Sequence, residues 1–360
     1  MAGSWTPTGS VTIEDVAREA GVSRAAVSKV IRNAYGVSPA MRERVTAAIE
    51  KLGYRPNISA RGMRGATFTL GIEIPELANP FFPQLLAGAT AALSGTPYQL
   101  IIAPADPAHS EGYRAIQALV DRQVDGVIAV SPMVKADWLE TVAAATPLVM
   151  LGRHDRPAGY DTVVSDDEAG TRQVMRHLFD LGHRDIAHLT GEADRTAPGS
   201  GVPQAVRLAA YQAAMQEAGL ADRIRIGRAA NGVSVEAAAR QAALSLLDDP
   251  QRPTAIFACH DEPALGVLRA VADAGLTADE VSVAGYDGIE IAGHPGISLT
   301  TVDQGGERIG HLAVELLLER IKGRAEPRHE VVPPELIVRS STRPPRPRSA
   351  ATRLRALGDR

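Results

Sequence analysis

From Val11 the apolar positions fall at helical spacing, with Ile13, Val16, Ala17 and Ala20 on one face of a short predicted helix. Thr12 can cap its start, and Asp15, three residues on, can reach back to the cap. Gly21 stops this helix, Val22 plugs the turn, and Ser23 can cap a second helix. In that second helix Val27, Val30 and Ile31 face inward while Arg24, Ala25, Ser28, Lys29 and Arg32 face out. A third helix and a basic connector ending GYRPNISARGM follow. Helix, tight turn and helix at this spacing predict a helix-turn-helix unit.

Beyond residue 66 the pattern changes to short apolar runs separated by longer amphipathic stretches. Strands are predicted at Phe68–Ile74, Leu100–Ala103, Gly126–Val130, Leu148–Leu151, Ile186–Leu189, Ala255–Ala258 and Val281–Gly285. Helices are predicted between them at Phe82–Leu93, Glu111–Arg122, Thr171–Leu181, Gln204–Ala218, Glu236–Leu247 and Pro263–Ala274. Strand and helix in alternation predict parallel sheets of the doubly wound kind, and this many units predict two of them. The expected fold class is therefore an all-α helix-turn-helix headpiece plus an α/β core of two doubly wound parallel-sheet lobes. Ligands in such cores sit at the carboxyl ends of the strands.

Charge divides the chain at the same place. Residues 1–66 hold 10 Lys+Arg against 5 Asp+Glu, a net of +5, while the remainder carries a net of −9. A basic head on an acidic body fits a DNA-docking module joined to a ligand-binding one. The 360 residues, 45% of them hydrophobic, are ample for more than one core. The single cysteine, Cys259, excludes an intrachain disulfide framework, fits a reducing compartment and ends an apolar run, as a buried structural thiol does. No stretch approaches the roughly 20 apolar residues of a membrane span. Residues 1–10 lack the basic start and apolar run of a signal peptide, so a cytoplasmic protein with a disordered N-terminus is expected. Residues 342–360, rich in Pro and Arg, read as a disordered basic tail.

The residues at the predicted strand ends are polar without forming a catalytic constellation. Asn79, Phe81 and Phe82 follow the first strand, Arg153, His154 and Asp155 the fourth, His260, Asp261 and Glu262 the sixth, and Tyr286 and Asp287 the seventh, with Gln304 further on. Amides, carboxylates, arginines and aromatic faces together suit a sugar or similar polyol, whose hydroxyls donate and accept while its C–H faces stack. Each has an ordinary reading too, Asp261 as a helix cap and His260 as a satisfied loop histidine. There is no GxxxxGK[ST] phosphate loop, no GxSxG elbow and no histidine cluster at metal spacing. His177, His183 and His188 read as packing or solvated side chains, and Asp166, Asp167 and Glu168 as complements to a helix dipole. No catalytic residue, metal or cofactor is expected.

Residues 11–63 resemble the DNA-binding headpiece and hinge of the LacI/GalR (lactose-repressor) family of bacterial transcription regulators. VTIEDVAREAGVSRAAVSKVI, VSPAMRERVTAAIEKLGYRPN and ARGMR carry the likeness. The resemblance implies a DNA-binding domain over 11–56 with base readers Arg24, Ala25 and Lys29, and with Thr12, Ser23, Ser28 and Arg32 nearer phosphates. It implies a hinge helix and linker over 57–66, with Asn57 and Ala60 at the minor groove and Met63 wedging the central base step. Gly62 inside that hinge costs it about 1 kcal/mol relative to Ala, so the hinge is expected to form only on DNA. Ala25 and Ala26 are small where many members carry larger polar residues.

Residues 67–341 resemble the family's effector-binding and dimerisation core, which is similar to periplasmic sugar-binding proteins. PELANPFFPQLLAG, ACHDEPALGVLRAVADAGL, VAGYDGIE and LTTVDQ stand in the family's places. Carried over position by position, the effector contacts are Asn79, Phe81, Arg153, Arg207, Asp261, Asp287 and Gln304, with His260 where many members have Asn. The implied function is a repressor whose affinity for a near-palindromic operator is controlled by a small molecule, a sugar or sugar derivative, bound between two lobes. Only Leu354 and Leu357 are available for the leucine segment by which some members become tetramers, so a homodimer is expected. Two other readings remain open here: a cytoplasmic sugar-binding protein without DNA regulation, and an enzyme acting in the cleft.

Overall fold

The computed structural model describes residues 11–31, 35–54, 66–105, 112–193, 196–197, 199–230 and 234–347. The chain separates into two compact units at Thr67.

The first unit holds α1 (Ile13–Ala20), α2 (Arg24–Ile31) and α3 (Pro39–Leu52). A capping box starts α1, with the Asp15 amide donating to Thr12 Oγ1 at 3.3 Å and the Thr12 amide donating to Asp15 Oδ2 at 2.9 Å. Gly21 ends α1 at φ 61°, a conformation that favours glycine. Ser23 Oγ accepts from the Ala26 amide at 3.2 Å, and Ser38 and Pro39 start α3. Val16, Val27, Val30, Val45 and Ala48 form the core that fixes the three helices.

The second unit is built from two sheets. The first lobe's sheet has the order β11-β5-β4-β3-β1-β2, all parallel, with β1 (Thr69–Ile74), β2 (Gln99–Pro104), β3 (Gly126–Val130), β4 (Leu148–Leu151), β5 (Asp161–Ser165) and β11 (His329–Val332). Its faces are covered by α4 (Phe82–Ala92) and α11 (Gly306–Ile321) on one side and by α5 (Tyr113–Asp121) and α6 (Ala136–Ala143) on the other. Burial on both faces is why β3, β4 and β5 are inaccessible along their whole length. The second lobe's sheet is β7-β6-β8-β9, also parallel, from β6 (Ile186–Thr190), β7 (Arg225–Arg228), β8 (Ala255–Ala258) and β9 (Ser282–Ala284). There α7 (Asp167–Asp180) and α8 (Pro203–Glu217) pack on one face, α9 (Val235–Leu247) and α10 (Asp261–Asp273) on the other. A short antiparallel pair, β10 (Thr301–Asp303) with β12 (Glu335–Ile337), completes the fold.

Helices α4 and α11 pack backbone against backbone through two glycines. A Cβ on Gly88 of α4 would lie 1.8 Å from the Glu307 carbonyl oxygen of α11, and one on Gly310 would lie 2.0 Å from that of Leu85. The chain passes between lobes at 165–167, 303–306 and 332–335, where the Asp166 amide donates to the Val332 carbonyl at 3.1 Å.

One expectation is corrected here. Residues 342–347 are not a disordered tail: Thr342 Oγ1 lies 2.8 Å from Thr300 Oγ1 and from His177 Nε2, and the Arg343 carbonyl lies 2.9 Å from His183 Nε2. Arg346 pairs with Asp279 at 2.6 Å. The composition is basic, but this segment's backbone and hydroxyl partners are buried groups of the second lobe, and these order it. His177 and His183 are thereby used in packing. Among the described residues no helix is long and apolar enough to cross a membrane.

Candidate nucleic-acid interface and effector cleft

The apolar stripe of α2 is turned into the three-helix core, which leaves its other face outward. Thr12, Ser23, Arg24, Ala25 and Lys29 are exposed on one surface of this unit, and Ser28 is half-buried. Thr12 and Ser23 also cap their helices, so their hydroxyls stand at helix N-termini, a setting that favours phosphate. Arg24 Nη1 lies 3.4 Å from Glu14 Oε1, an exposed pair that a phosphate or base edge can displace. Lys29 has no ion-pair partner among the described residues. A short helix presenting cations and small side chains from its first turns matches the dimensions of the DNA major groove. Arg32, Asn57, Ala60 and Met63 lie outside the described residues.

In the second unit a cavity of about 360 Å³ opens at the carboxyl ends of the strands, between the two lobes. Its polar floor is organised by Arg207 of α8, which is 1% exposed. Arg207 donates to Asp167 Oδ1 at 2.7 Å, to the Cys259 carbonyl at 2.6 Å and to Gln304 Oε1 at 3.0 Å, and its guanidinium lies 3.7 Å from the Tyr286 ring centroid. Gln304 in turn donates to Asp287 Oδ1 at 2.6 Å. His260 Nδ1 sits 3.0 Å from Arg207 Nη1 and 3.2 Å from Asp287 Oδ1. Asp287 has φ 132°, a strained conformation for a residue with a side chain, held by its amide N–H donating to the Val302 carbonyl at 2.9 Å.

Burial alone would raise the Asp167 carboxyl, but Arg207 and His154 override it and hold the group below the ordinary carboxylate range. The balance is reversed at Glu73 of β1. Burial pushes it up to about 8 against one amide hydrogen bond, from Val130 to Oε2 at 2.9 Å. Cys259 lines the cavity, and burial pushes its thiol up to about 11, the state of a structural thiol rather than a nucleophile.

Five of the seven expected effector contacts, Asn79, Phe81, Arg207, Asp287 and Gln304, line this cavity. The other two do not. Arg153 is turned behind the wall, donating to the Pro132 carbonyl at 3.2 Å and the Val134 carbonyl at 2.9 Å and pairing with Asp155. Asp261 is fully buried, with Oδ2 accepting from the Ile289 amide at 3.0 Å and Oδ1 from the Thr301 hydroxyl at 2.6 Å, so it clamps α10 to the loop after β9. Glu262, read from the sequence as a strand-end residue, also lines the cavity, as do Glu73, Asp167 and Gln204, which the sequence reading does not place there. Asp167 does stand in the first turn of α7, but Asp166 is the cap, accepting from the Ala169 amide at 2.9 Å, and Asp167 anchors Arg207.

The comparisons with known proteins agree with this geometry. Residues 12–57 match the model for bacterial regulatory proteins of the lacI family, and residues 175–342 match that for periplasmic-binding-protein-like domains. The chain is 32% identical over 340 residues to the transcriptional repressor PurR of Vibrio campbellii, covering 92% of this chain and 98% of that one. A lac repressor dimer bound to operator and an anti-inducer superposes with a TM-score of 0.77 at 28% identity, covering 93% of this chain and 99% of that one. A LacI-family regulator from Enterococcus faecium with bound ribose superposes with a TM-score of 0.68 at 27% identity, covering 77% and 100%. With an outward-facing helix-turn-helix, a cleft between two doubly wound lobes and a repressor relative spanning nearly its whole length, this chain belongs to the LacI family of bacterial DNA-binding transcription regulators under small-molecule control.

Proposed function

We propose that the protein is a cytoplasmic homodimeric repressor that reads a near-palindromic operator and whose DNA affinity is set by a sugar or sugar derivative bound between its two lobes. The observation that carries this reading is the Arg207–Asp167–Gln304–Asp287 network, which lines a cleft of about 360 Å³ beside the apolar face of Phe81. A planar arginine, two carboxylates and an amide beside an aromatic ring suit a polyol, and the similar Enterococcus faecium regulator holds bound ribose. In this assignment residues 11–56 read DNA, with Arg24, Ala25 and Lys29 toward bases and Thr12, Ser23, Ser28 and Arg32 toward phosphates. Residues 57–66 are the hinge, with Asn57, Ala60 and Met63 at the minor groove. The remainder holds the effector.

Dimerisation is supported by β2, an edge strand with Ile101 and Ile102 exposed at 42% and 44%, a surface that a second copy would cover. Two copies present two reading helices, which matches a two-fold operator. Occupancy of the cleft changes the angle between lobes, and the operator affinity of the dimer changes with it. The coupling is reciprocal, so the operator alters effector affinity by the same factor. The test is fluorescence anisotropy of a labelled operator duplex with the full-length protein, titrated with a panel of neutral, amino and phosphorylated sugars. At least one should shift operator affinity by the 5–150-fold typical of such coupling, roughly 1–3 kcal/mol. Operator binding insensitive to every member would refute the effector part of the proposal.

A further inference from the structure

Among the described lining residues the charged side chains left free in the cleft are all carboxyl groups, while the unpartnered polar atoms of Ser165, Thr190 and Gln204 are neutral. Arg207, the one arginine on its described lining, is engaged by Asp167, Gln304, the Cys259 carbonyl and His260, and no lysine is present there. Asp167, Asp287 and Gln304 are used in the same network. Three carboxyl groups remain. Glu76 follows β1 in the first lobe, and Glu262 stands in the first turn of α10 in the second; among the described residues neither has a hydrogen-bond or ion-pair partner. Glu73 is fully buried, and its Oε1 has no partner.

Glu76 and Glu262 approach the cavity from opposite lobes. Burial, and then the charges of Glu76, Asp287 and Glu236, push Glu262 up to about 7. Two like charges with no cation between them oppose approach of the lobes. A neutral hydroxyl can donate to either carboxylate, but it leaves that repulsion in place. An ammonium group removes it, and Phe81 adds an aromatic face for the same cation.

Resting on the effector-cleft reading above, we propose that the effector is a polyhydroxylated amine, an amino sugar or aminocyclitol, whose basic nitrogen is shared by Glu76 and Glu262 and draws the lobes together. A hydroxyl of the ligand, able both to donate and to accept, meets Glu73 Oε1. Phosphorylated and carboxylated sugars are rejected, because they would meet five carboxyl-bearing side chains and a guanidinium already engaged.

The test is isothermal titration of the full-length protein with matched sets: glucose, glucosamine and glucose 6-phosphate; galactose and galactosamine; inositol and 2-deoxystreptamine. The amine of at least one set should bind about tenfold or more tighter than its neutral parent, and the phosphate should not bind. Glu76→Gln and Glu262→Gln, checked for folding by circular dichroism, should collapse the ratio of amine to parent toward one. A parent binding as tightly as its amine in every set that binds, a preference for the phosphate, or a ratio unchanged in both variants would overturn the proposal. If no member of any set binds or alters operator affinity, the effector-cleft reading itself fails and this one falls with it.

Discussion

Replacing Arg207 by Met removes a charge from the centre of the second unit while nearly keeping its length. The guanidinium and its partner Asp167 are 1% exposed each, 2.7 Å apart. Breaking such a pair by deleting one member destabilises by about 3–5 kcal/mol, because the remaining charge is buried without compensation. The Cys259 carbonyl and Gln304 Oε1 also lose their donor, which pushes the expected loss toward the upper part of that range. For a unit of this size the melting temperature should fall by on the order of 10 °C. Urea unfolding followed by circular dichroism measures the loss. The double variant Arg207→Met/Asp167→Asn should recover most of it, since the orphaned charge is then gone. The pH dependence gives a second check. In the parent, Asp167 is held below its ordinary value, so its contribution is present at neutral pH and is lost only as pH falls through that lowered value. In Arg207→Met the same carboxyl, left in its buried setting, moves up, and its penalty disappears once acid protonates it. The gap between parent and variant should therefore narrow as pH falls from neutral into the ordinary carboxylate range. A single variant within about 0.5 kcal/mol of the parent, or a double variant no more stable than the single, would refute the reasoning.

Three further outcomes are expected. Gly88→Ala forces α4 away from the Glu307 carbonyl of α11 and should destabilise by about 1–3 kcal/mol in thermal melts; an unchanged melting temperature would show that the helix contact is not as close as described. Lys29→Ala, by removing one cation from the reading face, should reduce the slope of log affinity against log salt by about 1 if it meets a phosphate, or relax preference at one base pair if it meets a base edge; no change in either would remove it from the interface. Glu73→Gln should gain stability over the parent as pH rises from about 4.5 to about 8. The folded carboxyl keeps its proton to about 8, so the parent alone carries a growing penalty across that window; equal stabilities at both ends would contradict the burial of that group.

Much of this architecture is written in the hydrophobic pattern. Gly126–Val130, Leu148–Leu151 and Ala255–Ala258 are short apolar runs and form central strands with those limits. What the pattern hides is peripheral or short. Arg225–Arg228 is an edge strand flanked by arginines, and Thr301–Asp303 and Glu335–Ile337 are three residues each, too short for a periodic signal. Asp161–Ser165 begins with a buried aspartate made tolerable by Arg320 and Arg324, partners more than 150 residues away. The same limit applies to the cleft. Asp287 and Gln304 are legible as polar residues at or beyond strand ends and Arg207 only through likeness to relatives, while Arg153 and Asp261 carry the right chemistry and point elsewhere. Glu73 sits within an apolar run, and nothing local to it says that its carboxyl reaches a cleft formed with the other lobe.

The central claim is that this chain reads a specific DNA sequence with the exposed face of its second helix. Selection of bound sequences from a random double-stranded DNA pool tests it directly, using the purified full-length protein and Arg24→Ala in parallel, each with and without a mixed sugar pool. The account predicts enrichment of a near-palindromic site by the parent and a relaxed or altered preference in the variant. No enrichment by the parent under either condition, or the same site selected with the same strength by both proteins, would contradict it.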